Sequence, residues 1–238
     1  MREEPSIPDW QLQENLREIR ERVGAAAEKS GRSFEDISIM AVTKTVPAQR
    51  VNQAIQGGIT LLGENRVQEY LEKYPLYEKK NCSIHFIGRL QTNKVRYIAD
   101  KIDMVESVDS IRLAQELEKR CAALKKTMEI LLEVNIGAEP TKSGVLPEHL
   151  PELMKAAAIL PHLRLSGLMA IPPAGGKEEE NRYYFSKMYH LFLDIKAKNI
   201  DNSDVRFLSM GMSGDFETAI ACGANIVRLG TILFGKRK

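Results

Sequence analysis

From Asp9 to Lys29 the apolar residues Leu12, Leu16, Ile19 and Val23 recur at steps of three and four, the spacing of one face of an α-helix. Asp9 is placed to cap its start and Gly31 to close its end. Beyond this helix the pattern changes. Short apolar runs rich in β-forming residues alternate with helical stretches, as in parallel strands joined by helical crossovers. The runs fall at residues 37–44, 59–64, 83–88, 104–108, 128–135, 163–170, 207–211 and 226–230. The helices between them fall approximately at 47–56, 66–73, 92–99, 110–123, 147–159, 177–198 and 215–222. Residues 172–180 read as a surface loop whose acidic run, Glu178 to Glu180, starts the next helix.

Closing these β/α units on themselves leaves no edge strand, whereas an open sheet would leave two to protect. No GxGxxG follows the first run, where the turn is Lys44-Thr45-Val46-Pro47. The pattern therefore predicts one α/β domain over residues 1–238, a (β/α)8 TIM-type barrel with an extra N-terminal helix at 9–29. An open flavodoxin-like or Rossmann sheet is the alternative.

Composition narrows the partners. Lys and Arg total 34 against 32 for Asp and Glu, which gives no sequence-independent attraction to nucleic acid or an anionic membrane. The basic tail Lys236, Arg237, Lys238 is too short to alter that. The three cysteines lie far apart without a CxxC, and the four histidines show no HExxH. Neither a disulfide framework nor a metal site is indicated. Cys121 and Cys222 fall in helical stretches and read as packed thiols. No apolar h-region opens the chain and no run approaches the roughly 18 apolar residues of a membrane span. The expectation is a cytoplasmic protein in a reducing compartment.

In a parallel barrel the working groups sit where strands end. The first run ends Val42-Thr43-Lys44-Thr45, where apolar neighbours would desolvate the lysine and expose an amine able to attack a carbonyl. A surface lysine at a strand end is the plain alternative. The seventh run opens through Gly211-Met212-Ser213-Gly214-Asp215 into a helix, and the eighth ends Arg228-Leu229-Gly230-Thr231. Backbone N–H groups in these two loops suit a phosphate. Turn glycines and helix capping by Ser213 would explain the same residues. Arg228 lies inside an apolar run and must meet a partner, in the pocket or as a buried carboxylate. Asn65, after Gly63-Glu64, offers both a donor and an acceptor at the rim or caps the following helix. The segment 211–215 misses the GxSxG elbow by its last residue, and 137–143 fails the P-loop spacing.

Taken together, Ala41-Val42-Thr43-Lys44, Gly63-Glu64-Asn65, the segment from His85 to Lys94, Pro140-Thr141-Lys142-Ser143-Gly144, Gly167-Leu168-Met169, Ser209 to Ser213 and Val227 to Gly235 resemble the pyridoxal phosphate homeostasis protein family. The resemblance spans about Trp10 to Gly235. It implies a fold like the N-terminal barrel of alanine racemase, with pyridoxal 5′-phosphate held as a Schiff base on Lys44. Ser213, Gly214, Gly230 and Thr231 match the phosphate cradle, and Arg228 matches the residue facing the pyridine nitrogen. Asn65 and Met210 join them as candidate cofactor contacts.

A permanently cationic arginine at the pyridine nitrogen weakens the ring as an electron sink. A racemase also needs acid–base groups on both faces of the substrate, and alanine racemase draws the second from a further domain and a partner subunit. The expectation is thus a monomeric protein without efficient catalysis that buffers pyridoxal 5′-phosphate or delivers it to apo-enzymes dependent on it. A weak amino-acid racemase is the alternative.

Overall fold

The computed structural model describes residues 7–173, 175–198 and 200–236. The opening segment 1–6 and most of the basic tail, whose expected roles were noted above, lie outside the described residues. Eight parallel strands close into a barrel in chain order, with β8 pairing back to β1. They are β1 (Ser38–Val42), β2 (Leu61–Glu64), β3 (Ser83–Phe86), β4 (Met104–Val108), β5 (Met128–Val134), β6 (Leu163–Ala170), β7 (Ser203–Met212) and β8 (Ile226–Leu229). The barrel, not the open sheet, is the fold.

The helices are α1 (Asp9–Lys29), α2 (Ala48–Gln56), α3 (Val67–Lys73), α4 (Val95–Ile98), α5 (Ile111–Leu124), α6 (Leu150–Ala158), α7 (Glu178–Ala197), α8 (Phe216–Ala221) and α9 (Thr231–Phe234). Two expected helices begin as 3-10 turns, at Thr92–Lys94 and Pro147–His149. The last, α9, is a short helix the apolar pattern does not single out. At the start of α1 the expectation about Asp9 needs correction. Pro8 occupies the N-cap with no side-chain bond, while Asp9 is the first helical residue and pairs with Arg50 at 2.7 Å. Its charge still suits the positive end of the helix. Gly31 takes φ 72° just past the helix, the left-handed geometry that closes a helix with least strain in glycine. No described helix is long and apolar enough to cross a membrane.

Strand residues alternate between two spaces. One parity packs outward beneath the helices in a single apolar cluster that includes Ala41, Leu62, Phe86, Val105, Leu132, Leu168, Leu208 and Val227. The other parity points into the barrel and forms two small apolar clusters, Met40, Val42, Leu61, Ile87 and Ile226, and Met104, Leu131 and Met169. β7 begins at Ser203, before the apolar run, in polar residues whose charges are paired. Arg206 bonds Glu129 and Asp204, and Arg164 lies 3.5 Å from Asp204.

Candidate functional site

The strand ends that the sequence singled out belong to four neighbours in the barrel, β7, β8, β1 and β2, so their loops share one half of the C-terminal rim. Lys44 follows β1 two residues after the inward-facing Val42 and is half-buried. Asn65 follows β2. Its Oδ1 is buried with no hydrogen-bond partner among the described residues, and the N-cap of α3 is Arg66, without a side-chain bond. Asn65 is therefore not the cap of that helix.

The two loops read as anion-binding lie against each other. The Ile232 N–H donates to Ser213 Oγ at 3.3 Å, tying the loop after β7 to the one after β8. Ser213 does not cap α8, whose N-cap is Asp215; the Asp215 carboxylate instead accepts the Met212 N–H at 2.6 Å. A Cβ built on Gly214 would meet nothing within 4 Å, so this stretch opens onto free space. Gly230 sits at the N-cap of α9, its carbonyl accepting the N–H groups of Leu233 and Phe234, and Thr231 is the exposed first residue of that helix. Met210 is placed differently. Its side chain is buried in the outer layer with Leu208, so only its backbone reaches toward the rim.

Arg228 is the floor of the site. Its side chain points inward from β8 with 3% of the residue exposed. It donates to Ser209 Oγ at 2.7 Å and to the Ala170 carbonyl at 2.8 Å. Ser209 donates to Glu106 Oε2 at 2.5 Å, and Glu106 Oε1 pairs with His85 Nδ1 at 2.7 Å. A chain of polar groups thus crosses the barrel from β8 through β7 and β4 to β3. Burial pulls the Arg228 pKa down, while Glu106, Glu133 and Asp215 oppose that; a guanidinium in such company keeps its charge. Of the two partners the sequence left open for Arg228, the buried carboxylate is reached only through Ser209, and the direct bonds go to that hydroxyl and to the carbonyl that ends β6.

Three carboxylates escaped the sequence reading. Glu106 and Glu133 face inward from β4 and β5, and Glu64 ends β2, all buried. Glu133 Oε1 accepts the Ser143 hydroxyl at 2.7 Å, its Oε2 is buried without a partner among the described residues, and burial raises its pKa. The signal was available in the sequence. A charged residue within an apolar run, the cue that exposed Arg228, also marks Glu106 in Met104–Val108 and Glu133 in Met128–Val134. By contrast, burial pushes the Cys121 thiol up to about 11, which fits the inert, packed cysteine expected there.

An amine ending the first strand, two small-residue loops ending the last two, and a buried arginine between them define a cofactor barrel of the alanine racemase type. The chain belongs to the alanine racemase N-terminal domain family, whose model matches residues 11–238. Its relatives within that family are narrower in kind. It is 43% identical over 225 residues to the pyridoxal phosphate homeostasis protein of Aquifex aeolicus (strain VF5), covering 94% of this chain and 98% of that one. It is 39% identical over 228 residues to the protein of the same name from Escherichia coli (strain K12), covering 94% and 95%. Among solved structures it resembles PipY of Synechococcus elongatus PCC7942 with PLP bound, at 29% identity and a TM-score of 0.82 over 94% of this chain and 100% of PipY. An alanine racemase of Clostridium difficile 630 superposes with a TM-score of 0.70 at 20% identity, covering 95% of this chain and 57% of that one, a likeness of fold alone.

Proposed function

We propose that this protein binds pyridoxal 5′-phosphate at the rim formed by β7, β8, β1 and β2 and serves its homeostasis in the cytoplasm, buffering the cofactor or handing it to apo-enzymes. The observation that carries this reading is the joining of the two anion-suited loops, Ser213 to Ile232, on the same half of the barrel rim as Lys44. The residues fit the group. Gly214 leaves open space where a side chain would intrude, and the buried Asn65 Oδ1 has no donor among the described residues. In this reading Ser213, Gly214, Gly230 and Thr231 hold the phosphate, Lys44 supplies the amine, and Asn65 bonds the ring or its substituents. When bound, the cofactor supplies a reactive aldehyde on a pyridine ring.

Arg228 argues for a carrier. Fixed by Ser209 and Ala170, it brings a permanent positive charge to the floor of the site and disfavours a proton on any ring nitrogen placed above it. The names of the relatives, homeostasis proteins and not enzymes, point the same way. Borohydride reduction of the loaded protein followed by peptide mapping tests the reading: the cofactor should be fixed on the Lys44 peptide. A protein that takes up cofactor with Lys44 unlabelled overturns it. Incubation with L- and D-alanine in D2O should give no Lys44-dependent α-proton exchange with turnover; rapid exchange would make it an enzyme.

A further inference from the structure

Lys44 does not stand on a regular strand. β1 ends at Val42, and residues 43–46 turn sharply, with Thr45 at φ 61°. A β-branched residue seldom enters that left-handed region, and it stays there only where its surroundings over-determine the backbone. The surroundings here are side chains of α3.

Lys73, itself buried, donates to the Thr43 carbonyl at 2.9 Å and to the Val46 carbonyl at 3.5 Å, one on either side of Lys44. It also bonds Glu69 Oε1 at 2.8 Å, and the same oxygen accepts the Thr45 N–H at 2.6 Å. Glu64 Oε1 lies 3.5 Å from the ammonium and accepts the Tyr77 hydroxyl at 2.5 Å. The Thr43 N–H donates to the Gly63 carbonyl of β2 at 3.1 Å, and inside the turn the Val46 N–H donates to the Thr43 carbonyl at 3.0 Å. The turn is thus held on three of its four residues by one partly buried ion pair, Lys73 with Glu69. A buried lysine needs such partners, but nothing about burial requires it to grip both flanks of another lysine.

We propose that Lys73 and Glu69 are positioning residues for Lys44, clamping the 43–46 turn so that the Lys44 amine meets an incoming aldehyde in one fixed orientation. This rests on the assignment of Lys44 as the capturing amine. In the step served, Lys44 Nζ bonds to the aldehyde carbon and both protons of the neutral amine leave with the carbonyl oxygen as one water. Holding the attacking atom in place removes orientational freedom before the reaction starts, which is where the rate gain arises.

The test follows timed labelling of Lys44 by pyridoxal 5′-phosphate, quenched with borohydride and mapped by peptide, in the parent, Lys73→Met and Glu69→Gln. Thermal melting shows that each variant is folded at the temperature used. Labelling of Lys44 should slow on the order of tenfold or more in Lys73→Met, and less in Glu69→Gln, which keeps an acceptor for the Thr45 N–H. Labelling of exposed lysines in the same samples should not change. Equal Lys44 rates in parent and Lys73→Met overturn the clamp; if that variant does not fold, equal rates in Glu69→Gln do so. Benzaldehyde with cyanoborohydride separates the two readings, because it needs no phosphate site. A parent left unlabelled at Lys44 by pyridoxal 5′-phosphate defeats the cofactor assignment, whereas loss of the Lys73 dependence with benzaldehyde defeats the clamp.

Discussion

The space between barrel and helices and the space inside the barrel are filled with opposite materials. Outside, one continuous apolar cluster runs from Leu16 on α1 through Tyr70, Phe86 and Leu117 to Phe185 and Phe216. Inside, two small apolar clusters share the bore with Arg228, Ser209, Glu106 and His85. Apolar burial stabilises in proportion to area, whereas a buried ion pair contributes no more, and often less, than well-packed apolar residues would. The outer layer therefore carries the stability, and the inner column carries the charge beneath the rim.

Substitutions can strain this contrast from both sides. The largest effect is expected inside, from Glu106→Ala. It leaves the Arg228 guanidinium buried without the carboxylate to which Ser209 links it, a loss of about 3–5 kcal/mol by chemical denaturation. Adding Arg228→Met to that variant should cost less than the sum of the two single changes, since the stranded charge is gone. Outside, Leu117→Ala should cost about 3 kcal/mol through the cavity it leaves. Yet the rate of Lys44 labelling in the protein that remains folded should match the parent. A slowed Lys44 in Leu117→Ala would erase the division of labour.

Gly88→Ala acts where the two spaces meet. Its Cβ would fall 2.1 Å from the Asn65 carbonyl oxygen, a backbone atom that must shift, at a cost of about 1–3 kcal/mol. Cofactor affinity, read by titration, should weaken with it. The smallest effect is a pH dependence at Glu133. Burial raises its pKa in the folded chain, so the native state binds that proton more tightly than the unfolded state does. The penalty is absent below the unfolded pKa, grows as pH rises through the interval up to the folded pKa, and then stays constant. Urea midpoints of Glu133→Gln should therefore gain on the parent from acidic to neutral pH; a constant difference would show that the carboxyl is ionised alike in both states.

The same contrast explains what could be read from the chain beforehand. Outward-facing residues such as Leu62, Val105 and Leu132 produce the apolar runs, so all eight strands were visible. The strand ends were not, because β1 stops at Val42 where α3 pins the next residues, a long-range contact without local signature. Residues Ser203 to Arg206 entered β7 because Arg164 on the adjacent β6 and Glu129 on β5 neutralise their charges. The residues alone left Lys44 open as a surface lysine, whereas its position and that of the two loops at strand ends was legible from the order of runs and turns, and Arg228 from a charge inside an apolar run. Lys73 and Glu69 were not, since on the sequence they are merely two charges four residues apart on a short helix. Met210 was misleading because a motif does not say which way a strand residue faces.

α1 carries a consequence of a different kind. It packs on α8 and α9, Asn15 donating to the Leu233 carbonyl at 3.0 Å, and β1 completes its pairing only with β8. A chain made from its N-terminus exposes the apolar face of α1 and one side of β1 long before their partners exist. The elements that seal α1 and β1 leave the ribosome well after them, so closure joins segments as far as 218 residues apart, a topology that slows folding. During that interval Leu12, Leu16, Ile19 and Val23 are the surface a chaperone would meet.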